Sequence, residues 1–317
     1  MNVYNDINQL PVFKNAVITI GTFDGVHKGH VQIIRQLINE ATVINGTPVV
    51  ITFFPHPKQV LEQHKKPIFI LNTPEEKYKL LHAHGIKHIV CVPFDKKFAD
   101  QPATAYIKDF LVEKFHPNTI IIGYDHKFGL NRFGDYKLLE IASTEYNFKV
   151  KEIPEQVIKS VVISSTKIRE ALHKGDAETA NEFLGYYYTL NGKVTAGKKL
   201  GRTLGYPTAN LVIKDENKLI PAMGIYAVTV HSDTIPGNFK GMMSIGTNPT
   251  VNGKERTIEV NIFDFDNEIY NTNLEISLIK RLRNEEKFNS LDELTDQMAK
   301  DKVSSLEVLS KIHFNLS

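Results

Sequence analysis

The sequence predicts an α/β domain built on a parallel sheet, followed by a small antiparallel β-barrel domain with C-terminal helices. Three observations carry this. Over the first 184 residues, short apolar runs alternate with helical patterns. Such alternation marks βαβ units, which place parallel strands between helices. After residue 184 the helical periodicity stops, and ten of the 19 glycines fall between Gly185 and Gly253. Closely spaced strand-like runs with glycine turns read as a small barrel. The length, 317 residues, suits two domains at roughly 100–200 residues each. The boundary is expected near Leu184–Tyr188, giving domains 1–184 and 185–317.

In the first domain, strands are expected at Val17–Gly21, Val49–Phe53, His88–Val92, Thr119–Gly123 and Lys149–Ile153. Helices are expected near Gly29–Ile44, Pro74–His84, Ala103–Lys114 and Asp135–Tyr146. The second helix has a clear start, with Thr73 as N-cap, Pro74 at N1 and Glu76 at N3. In the second domain, the strand-like runs are Tyr186–Thr195, Ile225–His231, Gly241–Ile245, Thr257–Phe265 and Leu274–Lys280. Two helical stretches, Leu291–Lys300 and Ser304–His313, close the chain.

Composition narrows the class. Hydrophobic residues make up 42% and charged residues 23%, as in an ordinary soluble globular protein. No apolar run approaches the ~20 residues that span a bilayer, so no membrane partner is expected. The N-terminus MNVYNDINQLPVFKN lacks the basic-then-apolar pattern of a signal peptide. The one cysteine, Cys91, sits in an apolar run. It reads as a core residue in a reducing compartment, hence a cytoplasmic protein, with a catalytic thiol as the alternative. The net charge of +2 does not mark a nucleic-acid binder. It suits a small anionic substrate held by a few placed cations, and Lys198, Lys199 and Arg202 form the densest basic cluster.

The segment Gly21-Thr22-Phe23-Asp24-Gly25-Val26-His27-Lys28-Gly29-His30 lies between an expected strand and an expected helix. Its three glycines relax the turn and let a ligand approach the backbone. A helix start offers free N–H groups and a partial positive charge to phosphate. His27 and His30, three residues apart, project to one side of the first turn. Imidazole donors there suit a phosphoryl group gaining charge during displacement; two histidines also admit a metal, but no nearby Asp, Glu or Cys set completes it.

This loop resembles GTFDGVHxGH of bacterial FAD synthetases, in the nucleotidyltransferase superfamily, which has a Rossmann-like parallel sheet. The resemblance implies that His27 and His30 contact the ATP phosphates during attack at the α-phosphorus. It implies phosphate or nucleotide contacts for Gly21, Phe23, Gly25 and Gly29. Ile163-Ser164-Ser165-Thr166-Lys167-Ile168-Arg169 supplies hydroxyls, N-capping groups and a bidentate donor. It is similar to the family's ISSTxIR, which implies that Ser164, Ser165, Thr166 and Arg169 bind the departing pyrophosphate. Gly123–Gly129 resembles GxDFxFG, with Asp125 as nucleotide contact and His126 where Phe is usual. Phe53–Pro57 resembles FDPHP, with Phe54 in place of Asp; His56 either orients substrate or stiffens the loop.

Lys198–Asn210 carries glycines at 197, 201 and 205 beside it, which leave amides accessible to phosphate. Thr208 and Asn210 are two apart and share a face of an extended chain. Their oxygens suit Mg²⁺ shared with nucleotide phosphates. Gly201–Asn210 resembles GRxLGxPTAN of riboflavin kinases, which implies that Gly201 and Gly205 contact ATP and that Thr208 and Asn210 hold Mg-ATP. Gly246–Thr250 and Arg256–Phe265 resemble that family's NPT and TxExxIxDF segments, making Glu259 the implied catalytic base. Arg281-Leu282-Arg283 and Phe288 resemble LRxExxF, implying that Arg283 and Phe288 border the flavin.

Together these resemblances imply a bifunctional enzyme. Riboflavin and ATP give FMN and ADP in the barrel; FMN and ATP give FAD and pyrophosphate in the sheet domain. Two other readings are an enzyme keeping only one activity and a flavin-binding regulator. The latter has no need of Glu259 beside a Mg-ATP site.

Overall fold

The computed structural model describes residues 1–61, 67–124, 126–153, 163–197, 200–250 and 253–312. Asp125, Lys198 and Lys199 lie outside the described residues, as do the side chains of Arg202 and of 248–250. The chain divides into two compact units, Met1–Ser165 and Thr166–Ser317.

The first unit is a six-stranded sheet in the order β1-β4-β3-β2-β5-β6. Its strands are β1 (Asn2–Tyr4), β2 (Val17–Ile20), β3 (Pro48–Phe54), β4 (His88–Pro93), β5 (Thr119–Gly123) and β6 (Lys149–Ile153). All five pairings are parallel. The strand sequences VITI, PVVITFF and TIIIG are rich in β-branched residues that fit a pleated surface. Alternate side chains serve two cores. Ile18, Ile20, Val49, Ile51, Ile120 and Ile122 join one cluster. Val17, Val50, Ile89 and Ile121 join the other, against Ile34, Leu37 and Leu81. Burial on both faces is why the strands read as continuous apolar runs.

The chain order reverses at β2, which has β3 on one side and β5 on the other. In open parallel sheets, ligands bind at such a switch point, outside the strands' C-terminal ends. The loops after β2 and β5 emerge there.

Four helices fall where the sequence places them, with informative differences. The capping box at Thr73 and Glu76 is formed, with Pro74 at the start of Pro74–Ala83. The stretch Ala103–Phe115 is helical, but Tyr106–Val112 is π-helical. Tyr106, Ile107, Phe110 and Leu111 are all buried there, and the wider turn accommodates this crowded face.

The second unit is a closed barrel in the order β10-β11-β8-β7-β12-β9. Its strands are β7 (Thr189–Thr195), β8 (Ala209–Val212), β9 (Gly224–Ser232), β10 (Ile235–Thr250), β11 (Gly253–Ile262) and β12 (Asn273–Arg283). Helices Ser165–Lys174 and Ala177–Leu184 precede it. The Asn181 side chain donates to the Leu278 carbonyl at 2.8 Å and accepts from the Tyr188 amide at 2.7 Å. The Leu172 carbonyl accepts from the Ala222 amide at 2.9 Å. These bonds tie the two helices to the barrel unit.

The two expected C-terminal helices are one, Leu291–Leu309, capped by Ser290. Neither Gly nor Pro interrupts Lys300–Ser304, so nothing breaks the helix between them. Asp301 on this helix is 5% exposed. It receives Nε and Nη2 of Arg283 at 2.9 and 2.7 Å, and Gln297 Nε2 at 2.9 Å.

Candidate active sites

The first site is built where β2 runs into the helix Lys28–Val43. His27 is the N-cap, and its Nδ1 accepts from the His30 backbone N–H at 3.3 Å. That contact leaves the proton of a neutral His27 ring on Nε2, as a donor. The His27 and His30 rings stack, with centroids 3.7 Å apart and planes 15° apart. Gly29 permits this: a Cβ there would sit 3.2 Å from the His27 ring. Phe23 is buried and packs on His30 at 5.1 Å. Gly21 ties the loop to β3 through its N–H to the Ile51 carbonyl at 3.0 Å.

The backbone turns sharply after β2. Phe23, Gly25 and Val26 have φ of +48°, +87° and +34°. Glycine adopts such angles freely, whereas Phe and β-branched Val do so only under strain. The strain is held by buried anchors. Asp24 Oδ1 accepts from the Leu71 and Asn72 amides at 2.9 and 3.3 Å. Lys77 Nζ donates to the Thr22 carbonyl at 3.2 Å and to Thr52 Oγ1 at 3.0 Å. Ser165 Oγ donates to the Asp24 carbonyl at 2.9 Å, joining two of the sequence-predicted segments.

His30 is partly exposed, but its Nδ1 is sealed from solvent and has no hydrogen-bond partner. Burial, then the neighbouring His27, then Lys77 hold its pKa well below the ordinary histidine value. His30 is therefore neutral near pH 7 before a nucleotide arrives.

The remaining predicted residues of this site are placed as follows. Ser164 is half-buried just before the Ser165–Lys174 helix, Thr166 is exposed, and Arg169 is half-buried. Arg169 stands four residues after Ser165, on the same helix face. His56 accepts from the Lys58 amide with Nδ1 at 3.2 Å, and its own amide donates to Gln59 Oε1 at 3.2 Å. These contacts brace the turn into the short helix Pro57–Leu61.

His126 follows β5, and its Nε2 is sealed without a partner. Burial first, then Arg132, push its pKa down to about 4. The unfolded chain, with a histidine pKa near ~6.5, binds this proton more readily than the folded one. The contribution is fully present above pH ~6.5 and is lost as pH falls towards ~4. His126→Phe is expected to remove an acid-induced loss of roughly 2–3 kcal/mol, read by urea unfolding of both proteins at pH 7 and pH 4.5.

The second site lies on the barrel. Asn210 and Glu259 are directly opposed across β8 and β11. Side chains of opposed residues share a face, and so does Thr208, two residues before Asn210. Thr208 Oγ1 donates to Glu259 Oε2 at 3.1 Å. Gly197 and Gly201 allow the close packing: a Cβ on Gly197 would overlap the Asn210 amide, and one on Gly201 the Tyr206 carbonyl. Gly205 turns the chain with φ +81°. Asn261 Nδ2 donates to the Pro207 carbonyl at 2.7 Å and fixes this segment. A cavity of about 510 Å³ opens between Pro207–Ala209 and the loop Phe265–Tyr270.

Thr208, Asn210 and Glu259 therefore converge as the sequence predicts. Arg283 and Phe288 are neighbours, with the guanidinium 5.8 Å from the ring centre, but Arg283 is bound to Asp301 as described. The sequence reading missed Asp24, Lys77, Thr52 and Asn261. Asp24 lies inside the quoted loop and follows a strand, which is a usable signal. Lys77 is one of several lysines in a charged helix, and only the fold distinguishes it.

One unit carries a stacked histidine pair at the switch point of a parallel sheet, and the other carries a threonine–asparagine–glutamate cluster on a closed barrel. Comparison with known proteins is specific. The FAD synthetase family pattern matches residues 10–167, and the riboflavin kinase pattern matches residues 184–309. The bifunctional riboflavin kinase/FMN adenylyltransferase of Escherichia coli (strain K12) is 35% identical over 306 residues, 96% of this chain and 95% of its own. That of Haemophilus influenzae is 37% identical, covering 92% of this chain and 93% of its own. A crystal structure from Streptococcus pneumoniae, described as a macrolide-efflux protein, superposes with a TM-score of 0.84 at 30% identity. It covers 96% of this chain and 98% of its own. No helix among the described residues is long and apolar enough to cross a membrane.

The chain belongs to the bifunctional riboflavin kinase/FMN adenylyltransferase family. It makes FMN from riboflavin and FAD from FMN, with ATP as co-substrate of both steps. Kinases and adenylyltransferases of these families use a divalent metal.

Proposed function

We propose that each step is run by the residues gathered in one of the two sites, with Mg²⁺ as the divalent ion. The observation that carries this for the kinase is the Thr208–Glu259 contact at 3.1 Å. Glu259 accepts the proton of the ribityl 5′-hydroxyl as that oxygen attacks the γ-phosphorus, and ADP leaves. Thr208, Asn210 and Glu259 offer oxygen donors only, which fits Mg²⁺. Thr208 and Asn210 would hold the ion, which when bound neutralises charge on the nucleotide phosphates. Gly201 and Gly205 leave room for the phosphate chain.

In the sheet domain, an FMN phosphate oxygen attacks the α-phosphorus of ATP, and pyrophosphate leaves. His27 offers Nε2–H to the phosphate oxygens, and neutral His30 offers a ring donor beside it. No protein nucleophile is needed, because the loop holds charge as it develops. Ser164, Ser165, Thr166 and Arg169 keep the role of holding the departing pyrophosphate. Arg283 serves the flavin indirectly, by fixing the end of β12 and Phe288 against the C-terminal helix.

We place the enzyme in the cytoplasm, where a lone buried thiol such as Cys91 stays reduced. Its partners on this reading are riboflavin, FMN, FAD, ATP, ADP and pyrophosphate, with no nucleic acid and no membrane. Purified protein incubated with riboflavin, ATP and Mg²⁺, with flavins resolved by chromatography over time, tests this. FMN is expected first and FAD after it. FAD without prior FMN, or no product with Mg²⁺ present, contradicts it.

A further inference from the structure

We propose that Lys77 is a positioning residue of the adenylyl-transfer site: its buried ammonium fixes the carbonyl that opens the histidine loop and supplies a positive charge to the His27–His30 pair. This rests on the reading that the pair is that site.

Lys77 is 6% exposed, on the helix Pro74–Ala83. Its Nζ donates to the Thr22 carbonyl at 3.2 Å, Thr52 Oγ1 at 3.0 Å and the Phe53 carbonyl at 3.5 Å. Thr52 Oγ1 also donates to the Thr22 carbonyl, at 3.0 Å. The last carbonyl before the strained turn at Phe23 is thus held twice. A turn with Phe and Val at positive φ persists only if its surroundings over-determine it. Asp24 and Ser165 supply the other anchors, and Lys77 is the cationic one.

These three acceptors are all uncharged, so a neutral donor would satisfy them without burying a charge. Burying an ammonium is costly. A cation in a water-poor place beside a phosphate site gives a reason to keep it: preorganised charge stabilises anionic phosphorus centres. Burial holds the Lys77 pKa below the ordinary lysine value, partly offset by the titratable groups that face it, Cys91 on β4 and Asp24 in the loop. Tyr78, the next residue on the helix, packs on Cys91. His30 stacks on His27, and burial first, then the charges of His27 and Lys77, disfavour its protonation.

The test uses Lys77→Met and Lys77→Gln in the full chain; glutamine keeps an N–H donor and removes the charge. Two readouts are needed. One is the His30 imidazole titration by NMR, with its signal assigned through loss in His30→Gln. The other is the rate of FMN-to-FAD conversion, with riboflavin phosphorylation measured on the same sample. His30 is expected to titrate at higher pH in both variants. FAD formation should fall by about tenfold or more in kcat, with FMN formation unchanged. An unmoved His30 titration, or wild-type FAD formation in Lys77→Gln, overturns the proposal. So does failure of the first unit to fold in both variants, which would make Lys77 a folding residue. Retained FAD formation after His27→Ala with His30→Ala would instead sink the site assignment itself.

Discussion

Glu259→Gln is expected to stop riboflavin phosphorylation while leaving FMN-to-FAD conversion at its wild-type rate. The amide has the size and shape of the carboxylate and can still meet Thr208, whose hydroxyl now donates to Glu259 Oε2 at 3.1 Å. The barrel should therefore fold, and only the proton acceptor is removed. General-base catalysis is worth about 10²–10⁴-fold, so kcat with riboflavin should fall by that factor. Assays begun separately from riboflavin and from FMN check this in one protein. Wild-type kinase rates would place the base elsewhere.

His27→Ala combined with His30→Ala is expected to abolish FAD formation and let FMN accumulate. Loss of one well-placed donor to developing charge costs roughly 10²–10³ in kcat. Both donors act on the same phosphate chain, so the double variant should lose at least as much as either single one. His27 also caps its helix through the His30 amide, and loss of a cap costs about 1 kcal/mol. His27→Asn separates the two roles, because asparagine is a good N-cap but not an imidazole donor. It should keep the melting temperature and still lose adenylylation. Unchanged FAD output in the double variant would remove the histidine pair from the chemistry.

Much of this was legible in the residues, for a physical reason. The central strands β2 to β5 are buried on both faces, so each appears as an apolar run that needs no long-range information. The helix at Pro74 was legible because its capping box is local. β1 was not: Asn2–Tyr4 is a three-residue edge strand whose existence depends on pairing with β4. β8 was hidden in a glycine-rich phosphate motif, and its strand character comes from pairing with β7 and β11. The π-helical turns at Tyr106–Val112 answer to packing that no local pattern reports. The proposed site residues stood out because they fall in short glycine- and hydroxyl-rich segments that suit phosphate and that resemble the motifs of the two families. Lys77, Thr52 and Asn261 were invisible because their importance comes from contacts made across 24 to 55 positions of sequence.

The central claim is that one chain cleaves ATP at two different phosphorus atoms in two places. ATP labelled at the α- or the γ-phosphorus, supplied with riboflavin, tests it directly once FMN and FAD are separated. The γ-label should enter both FMN and FAD, and the α-label should enter FAD alone. An α-label in FMN, or an FAD fraction that never acquires it, would contradict the account.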